Sequence, residues 1–195
     1  MATSRRIGTP DAKNRNVLLD AAERLMLEEG YAAVTSRRVA AKAGLKPQLV
    51  HYYFRTMDDL FLAVFRRRSE EGLRRQAEAL AAPQPLWALW KYSTDQSAAK
   101  ITMEFIGLAN HRKAVRAEIA HYSERFRRAQ LEAMPRIMER YRFPPDAPPP
   151  AALLVLMTSV SRVVMLETAL GLSTGHAETL EFIERHLRSI EGPPR

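Results

Sequence analysis

Lys46, Pro47, Gln48, His51, Tyr52 and Arg55 lie within ten positions of one another, and Thr35, Ser36 and Arg37 stand just upstream. These residue types can read a nucleic acid. The carboxamide of Gln48 can donate and accept at an adenine edge, and Lys46 can reach a guanine edge or a phosphate. His51 and Tyr52 can hydrogen-bond to a phosphate or to a base, and Arg37 and Arg55 supply charge for the backbone. Thr35, Ser36 and Arg37 fall where a helix would begin, and exposed N–H groups with the helix dipole suit a phosphate oxygen there.

Nothing comparable points to catalysis. The chain has no cysteine, which removes disulfides, thiolate ligands and a cysteine nucleophile. Of the histidines, His111 and His121 are ten residues apart, as are His176 and His186, and neither pair has the i, i+4 spacing of a zinc-binding helix. There is no nucleophile elbow, and the Gly-rich stretch at 171–175 is too short for a phosphate loop and lacks its lysine. No enzyme activity, cofactor or metal site is expected.

Local signals place the polar residues on helices. Thr35 can cap a short helix that closes at Gly44, and Pro47 suits the first position of the next. Thr56-Met-Asp-Asp59 has the form of a capping box opening a longer helix to about Leu80, with Asp58 and Asp59 at the positive end of its dipole. Leu49, Val50, Tyr53 and Phe54 alternate with the polar positions at helical spacing and are expected in the core. Two short helices with a glycine turn, the second entering the major groove N-terminus first, make a helix-turn-helix. The plainer alternative is a pair of ordinary helices with an aromatic edge.

Elsewhere apolar residues recur at intervals of three and four, and no hairpin dipeptide divides alternating runs, which predicts an all-α fold. The first helix is expected to open at Thr9 and Pro10, to bury Leu18, Ala21, Ala22, Leu25 and Met26, and to end at a left-handed Gly30. After breaks at Pro83 and Pro85 come a short Trp-containing segment, an apolar helix around 101–111 and a long charged helix over 112–141 that Pro135 could kink. The run at 143–150 has five prolines in eight residues and reads as a linker. Helices over 151–170 and 177–190 follow.

Apolar residues make up 46% of the chain and charged residues 27%, as in a folded domain. The net charge of +8 suits a polyanionic partner, but residues 1–60 carry ten Lys+Arg against seven Asp+Glu. Charge therefore permits DNA binding without demonstrating it. The first residues lack the apolar core of a secretory signal. The apolar stretch from Ala151 carries Arg162 and Glu167 and is expected to be a buried helix rather than a membrane span.

The order and spacing of Gly30-Tyr31, Thr35, Val39–Ala43, Ala43-Gly44, Tyr53-Phe54 and Asp58-Asp59-Leu60 resemble the N-terminal domain of the TetR family of transcriptional regulators, over about residues 12–65. Two positions depart from the family pattern. His51 stands where Tyr is common, which implies an altered operator preference. Met57 stands where a phosphate-contacting Lys is common, which shifts that duty to Lys46, Arg37, Arg55 or the N-terminal arm. Arg5 and Arg6 in the arm, residues 1–9, are read as a solvated end, with minor-groove entry as the functional alternative.

The resemblance implies a helix-turn-helix domain over 1–56 and a helical effector-binding and dimerisation domain over 57–195. It implies a cytoplasmic homodimer, paired through the helices at about 151–170 and 177–190, that binds a palindromic double-stranded operator as a repressor and is released by a small molecule. Leu180, Ile183, Leu187 and Ile190 form a suitable stripe, as do Leu153, Leu156, Met157, Val160, Val164 and Met165. Trp87, Trp90, Met103, Phe105, Tyr122, Phe126 and Met165, with Glu104, Asn110, His111 and Glu167 as polar members, could line a largely hydrophobic effector pocket. Each of the apolar members is more often a plain core residue. The competing function is a helical protein–protein adaptor, which sequence-specific DNA binding would exclude.

Overall fold

In the computed structural model residues 13–195 are described, with the backbone alone for 96–99. The described residues form helices and no strand: α1 Lys13–Glu29, a 3-10 turn Tyr31–Ala33, α2 Ser36–Ala43, α3 Pro47–Tyr53, α4 Met57–Leu80, α5 Pro85–Ser93, α6 Gln96–Ala109, α7 Lys113–Arg140, α8 Pro150–Ala169 and α9 His176–Glu191. The fold is all-α. The expected opening of α1 at Thr9 and Pro10, and the arm at 1–9, lie outside the described residues.

The chain divides into two compact units. One holds the chain up to Ser69 with Lys100–Ala120, the other Glu70–Ala99 with His121–Arg195. The apolar stripe of α1, from Leu18 to Met26, is buried in the first unit with Val39, Ala40, Val50 and Phe54. Leu60, Phe61 and Val64 of α4 and Ile101, Phe105 and Leu108 of α6 complete that core, so the unit extends beyond residues 1–56. Arg67 of α4 pairs with Asp20 at 2.7 Å and Glu23 at 3.0 Å of α1, and Arg66 pairs with Glu118 of α7 at 2.7 Å. These are surface pairs and add little to stability individually.

Gly30 does not adopt the expected left-handed helical conformation. Its φ is +84° but its ψ is 166°, an extended mirror region that only glycine enters without strain. Capping at Thr56 is reciprocal as read: the Thr56 N–H donates to Asp59 at 3.0 Å, and the Asp59 N–H donates to Thr56 at 3.1 Å. Pro135 lies inside α7 without ending it.

In the second unit Leu86, Trp90, Met134, Ile137, Leu154 and Leu187 form the buried core, with Leu180, Ile183 and Ile190 packed beside them. Glu191 caps α5, accepting the N–H groups of Leu86 and Trp87 at 2.9 Å each. The expectation of a buried helix at 151–170 fails within the single chain. Only Leu154 and Ser161 of α8 are buried, while Val155, Leu156, Val163, Leu166 and Leu170 face solvent, with Phe182 of α9 beside them in sequence order. Hydropathy reports that such residues avoid water, not that their own chain covers them. By length and composition α8 is also apolar enough to cross a membrane.

Candidate nucleic-acid interface

The geometry of α2 and α3 follows from four residues. Thr35 is extended and its hydroxyl accepts the Arg38 N–H at 3.3 Å, fixing the start of α2. Gly44 takes φ 66°, ψ 28°, the left-handed conformation that suits glycine. The Leu45 N–H returns to the Ala40 carbonyl at 2.9 Å and the Gly44 N–H to Ala41 at 3.1 Å, the paired bonds of a Schellman closure. Lys46 is extended, and Pro47 begins α3, where a missing N–H costs nothing.

The turn leaves α3 with one face inward and one outward. Val50 and Phe54 are buried, and Leu49 and Tyr53 are half-buried. Lys46, Pro47, Gln48, His51, Tyr52 and Arg55 are exposed, and the spacing 48, 51, 52 places three of them in one row on α3, with Arg55 just beyond its end. Tyr52 is 51% exposed and meets Tyr53 edge-on at 5.0 Å, which steadies its ring. On α2, Thr35 and Arg37 are exposed and Ser36 is half-buried.

Cations on this unit sort into two groups. Arg38 binds both oxygens of Glu29 at 2.6 Å, and Lys42 pairs with Glu28. The hydrogen bond from Arg38 holds the Glu29 carboxyl below its ordinary pKa. Among the described residues Arg37, Lys46 and Arg55 form no ion pair.

The eleven residues expected to line an effector pocket divide between the units. Phe105 is buried in the first unit, edge-on to Phe65 at 5.1 Å, Met103 is half-buried, and Asn110 and His111 are exposed. Glu104 accepts the Tyr31 N–H at 2.7 Å, a contact 73 residues distant that local pattern does not reveal. In the second unit Trp90 is core, and Trp87 donates its indole N–H to Gly192 at 2.9 Å. Tyr122 donates to Glu70 at 2.6 Å, and burial with that carboxylate raises its pKa. Phe126 packs against Gly72, where a Cβ would stand 3.0 Å from its ring. Met165 is half-buried, and Glu167 pairs with His176 at 2.7 Å.

A capped helix, a glycine closure and a proline-opened helix with a polar outer row define a helix-turn-helix of the kind DNA-binding regulators carry. Residues 18–64 match the bacterial regulatory proteins of the tetR family. The HTH-type transcriptional regulator BetI of Rhizobium meliloti (strain 1021) is 29% identical over 122 residues, 58% of this chain and 60% of the relative, so the chain spans about three fifths of that protein's length. Two solved structures share the fold. A TetR-family regulator from Rhodococcus sp. has a TM-score of 0.72 at 14% identity, covering 92% of this chain and 100% of its own. A transcriptional regulator from Saccharomonospora viridis, in complex with choline, has a TM-score of 0.74 at 15% identity, covering 90% and 93%. Residues 18–64 thus carry the N-terminal domain of the tetR family of bacterial regulatory proteins, and the chain as a whole shares its all-α fold with solved regulators of that kind.

Proposed function

We propose that the protein is a cytoplasmic, homodimeric repressor that binds a palindromic operator and leaves it when a small, largely hydrophobic effector binds. The observation that carries the DNA contact is the exposed row Gln48, His51 and Tyr52, with Lys46 and Pro47 before it, Arg55 after it and the Thr35–Arg37 segment upstream. Gln48 and Lys46 read base edges, Tyr52 and His51 contact bases or phosphates, and Arg37 and Arg55 hold the backbone.

Support for a dimer comes from α8 and α9, which leave apolar side chains in water that a second copy would cover. Two copies related by a two-fold axis place their α3 helices in half-sites about 34–36 Å apart, which demands a palindrome. The same pairing makes a membrane role for α8 unnecessary. The effector is expected to be taken up in the second unit, where Trp87, Trp90, Tyr122 and Phe126 supply aromatic surface. The Saccharomonospora viridis regulator is in complex with choline, and aromatic faces suit such a cation. A ligand that prefers a wider separation of the two α3 helices weakens DNA binding by its differential affinity for that state.

The test is retention of genomic DNA fragments by the protein at about 150 mM salt, a physiological ionic strength, followed by sequencing. Enrichment of a palindrome is expected. Retention without sequence preference would remove the operator-binding reading and favour a protein–protein adaptor.

A further inference from the structure

The α1–α2 connection is gripped from α6 at two points one helical turn apart. Glu104 accepts the Tyr31 N–H at 2.7 Å. Its carboxylate lies where a side chain on Gly30 would begin: a Cβ there would stand 3.3 Å from Oε2. Three residues on, Gly107 gives the Tyr31 ring room, because a Cβ at 107 would stand 3.3 Å from its Cε1. Residues at i and i+3 share a helix face. One turn of α6 therefore holds both the amide and the ring of the same tyrosine.

That tyrosine stands four residues before the cap of α2. The Gly30 carbonyl accepts from Ala33 and the Tyr31 carbonyl from Val34, closing the 3-10 turn, and Val34 leads directly into Thr35, whose carbonyl accepts from Val39 in α2. A second tie closes the other side of the helix-turn-helix. Arg112, just after α6, pairs with Asp58 in the first turn of α4 and lays its guanidinium 5.4 Å from the centre of the Phe61 ring. The stretch 104–112 thus fixes the chain both before α2 and after α3.

We propose that Glu104 is a positioning residue for DNA reading: through the Tyr31 amide it sets where α2, and with it α3, is presented. The proposal rests on the reading that α3 contacts DNA. It also gives the polar residue of α6 a role inside the protein, in place of a role in the effector pocket. A carboxylate suits this task because a charged acceptor binds an N–H more strongly than a neutral one.

The experiment compares the wild-type chain with Glu104→Ala, Glu104→Gln and Gly107→Ala. The probes are a duplex enriched from random DNA by the wild-type protein and a scrambled duplex of equal length. Amide hydrogen exchange is followed at Tyr31 and in the first turn of α2. Glu104→Ala is expected to lower the preference for the enriched duplex about tenfold, the loss of one charge-assisted bond, and to speed exchange at Tyr31 and at Ser36–Val39. Glu104→Gln keeps an acceptor oxygen and should retain most of the preference, while Gly107→Ala, which pushes the Tyr31 ring, should lower it.

A role confined to stability would reduce the folded fraction and weaken both duplexes alike. An unchanged preference in Glu104→Ala therefore overturns the proposal, as does unchanged exchange at Tyr31. If Glu104→Ala does not fold, a preference unaltered in both Glu104→Gln and Gly107→Ala overturns it. If the wild-type protein enriches no duplex, the DNA reading falls by itself, and the exchange data alone decide whether Glu104 holds the start of α2.

Discussion

The outer faces of α3 and of α8 are both uncovered in the single chain, yet they are built from opposite materials. On α3 and at its two ends the exposed polar positions are Lys46, Gln48, His51, Tyr52 and Arg55, each able to trade a bond with water for one with a partner. On α8 and beyond it they are Val155, Leu156, Val163, Leu166 and Leu170, the last two-thirds exposed at 67%, with Phe182 of α9 at 66%. An apolar face gains free energy by leaving water for almost any complementary surface, roughly 25 cal/mol per Å². A polar face gains only where donors and acceptors match. In the proposed function the apolar face serves adhesion and the polar face discrimination.

The largest effect is expected from charging the adhesive face. Leu156→Glu combined with Leu170→Glu should weaken self-association on the order of a hundredfold or more, as hot-spot losses do. Sedimentation should report single chains, with helical circular dichroism preserved because neither side chain is in the core. A dimer that survives both changes would show that this face is not the interface.

Next come the discriminating residues. Gln48→Ala, Lys46→Ala and Tyr52→Ala should each weaken operator binding roughly tenfold, consistent with about 1–3 kcal/mol for a good base contact. Melting temperature should hardly move, since all three are exposed. Unchanged affinity in Lys46→Ala and Tyr52→Ala together would remove α3 from the DNA. Arg55→Ala should act on every sequence alike and lower the slope of log affinity against log salt by about one.

The smallest effect lies away from both faces. Glu70 is held below the ordinary carboxylate value of 4.5 by hydrogen bonds from Arg125 and from Tyr122. A carboxyl whose pKa falls on folding adds stability above its unfolded value and loses it as pH drops through the folded one. Glu70→Gln should therefore melt slightly below the wild type at pH 7. The gap should close as pH falls below 4.5. A gap that persists in acid would mean that packing, not charge, is the cause.

Much of this organisation could be read in the sequence where the determinants are local. Thr35, Gly44, Pro47 and the pair Thr56 and Asp59 act within four residues of themselves, and the elements they delimit stand where those residues place them. Contacts between distant segments could not be read that way. The attachment of Glu104 to Tyr31 depends on α6 folding back, and no period in either segment encodes it. Gly30 showed its positive φ but not its ψ, which the close approach of Glu104 explains. Bulk and hydrophobicity named eleven pocket residues but could not say that they fall in different units. The burial of α8 was misjudged for a related reason: its apolar residues outnumber what the helices of one chain can cover.

That surplus has a consequence for the life of the molecule before it meets DNA. A freshly made chain displays Leu156, Leu170 and Phe182 to solvent until another chain arrives, and surfaces of this kind invite aggregation and proteolysis. With the pairing proposed above, its survival becomes concentration-dependent, because stability gained through association follows mass action. At few copies per cell, rates of synthesis and degradation enter the regulatory response directly, and scarcity shortens the lifetime of the chains that remain.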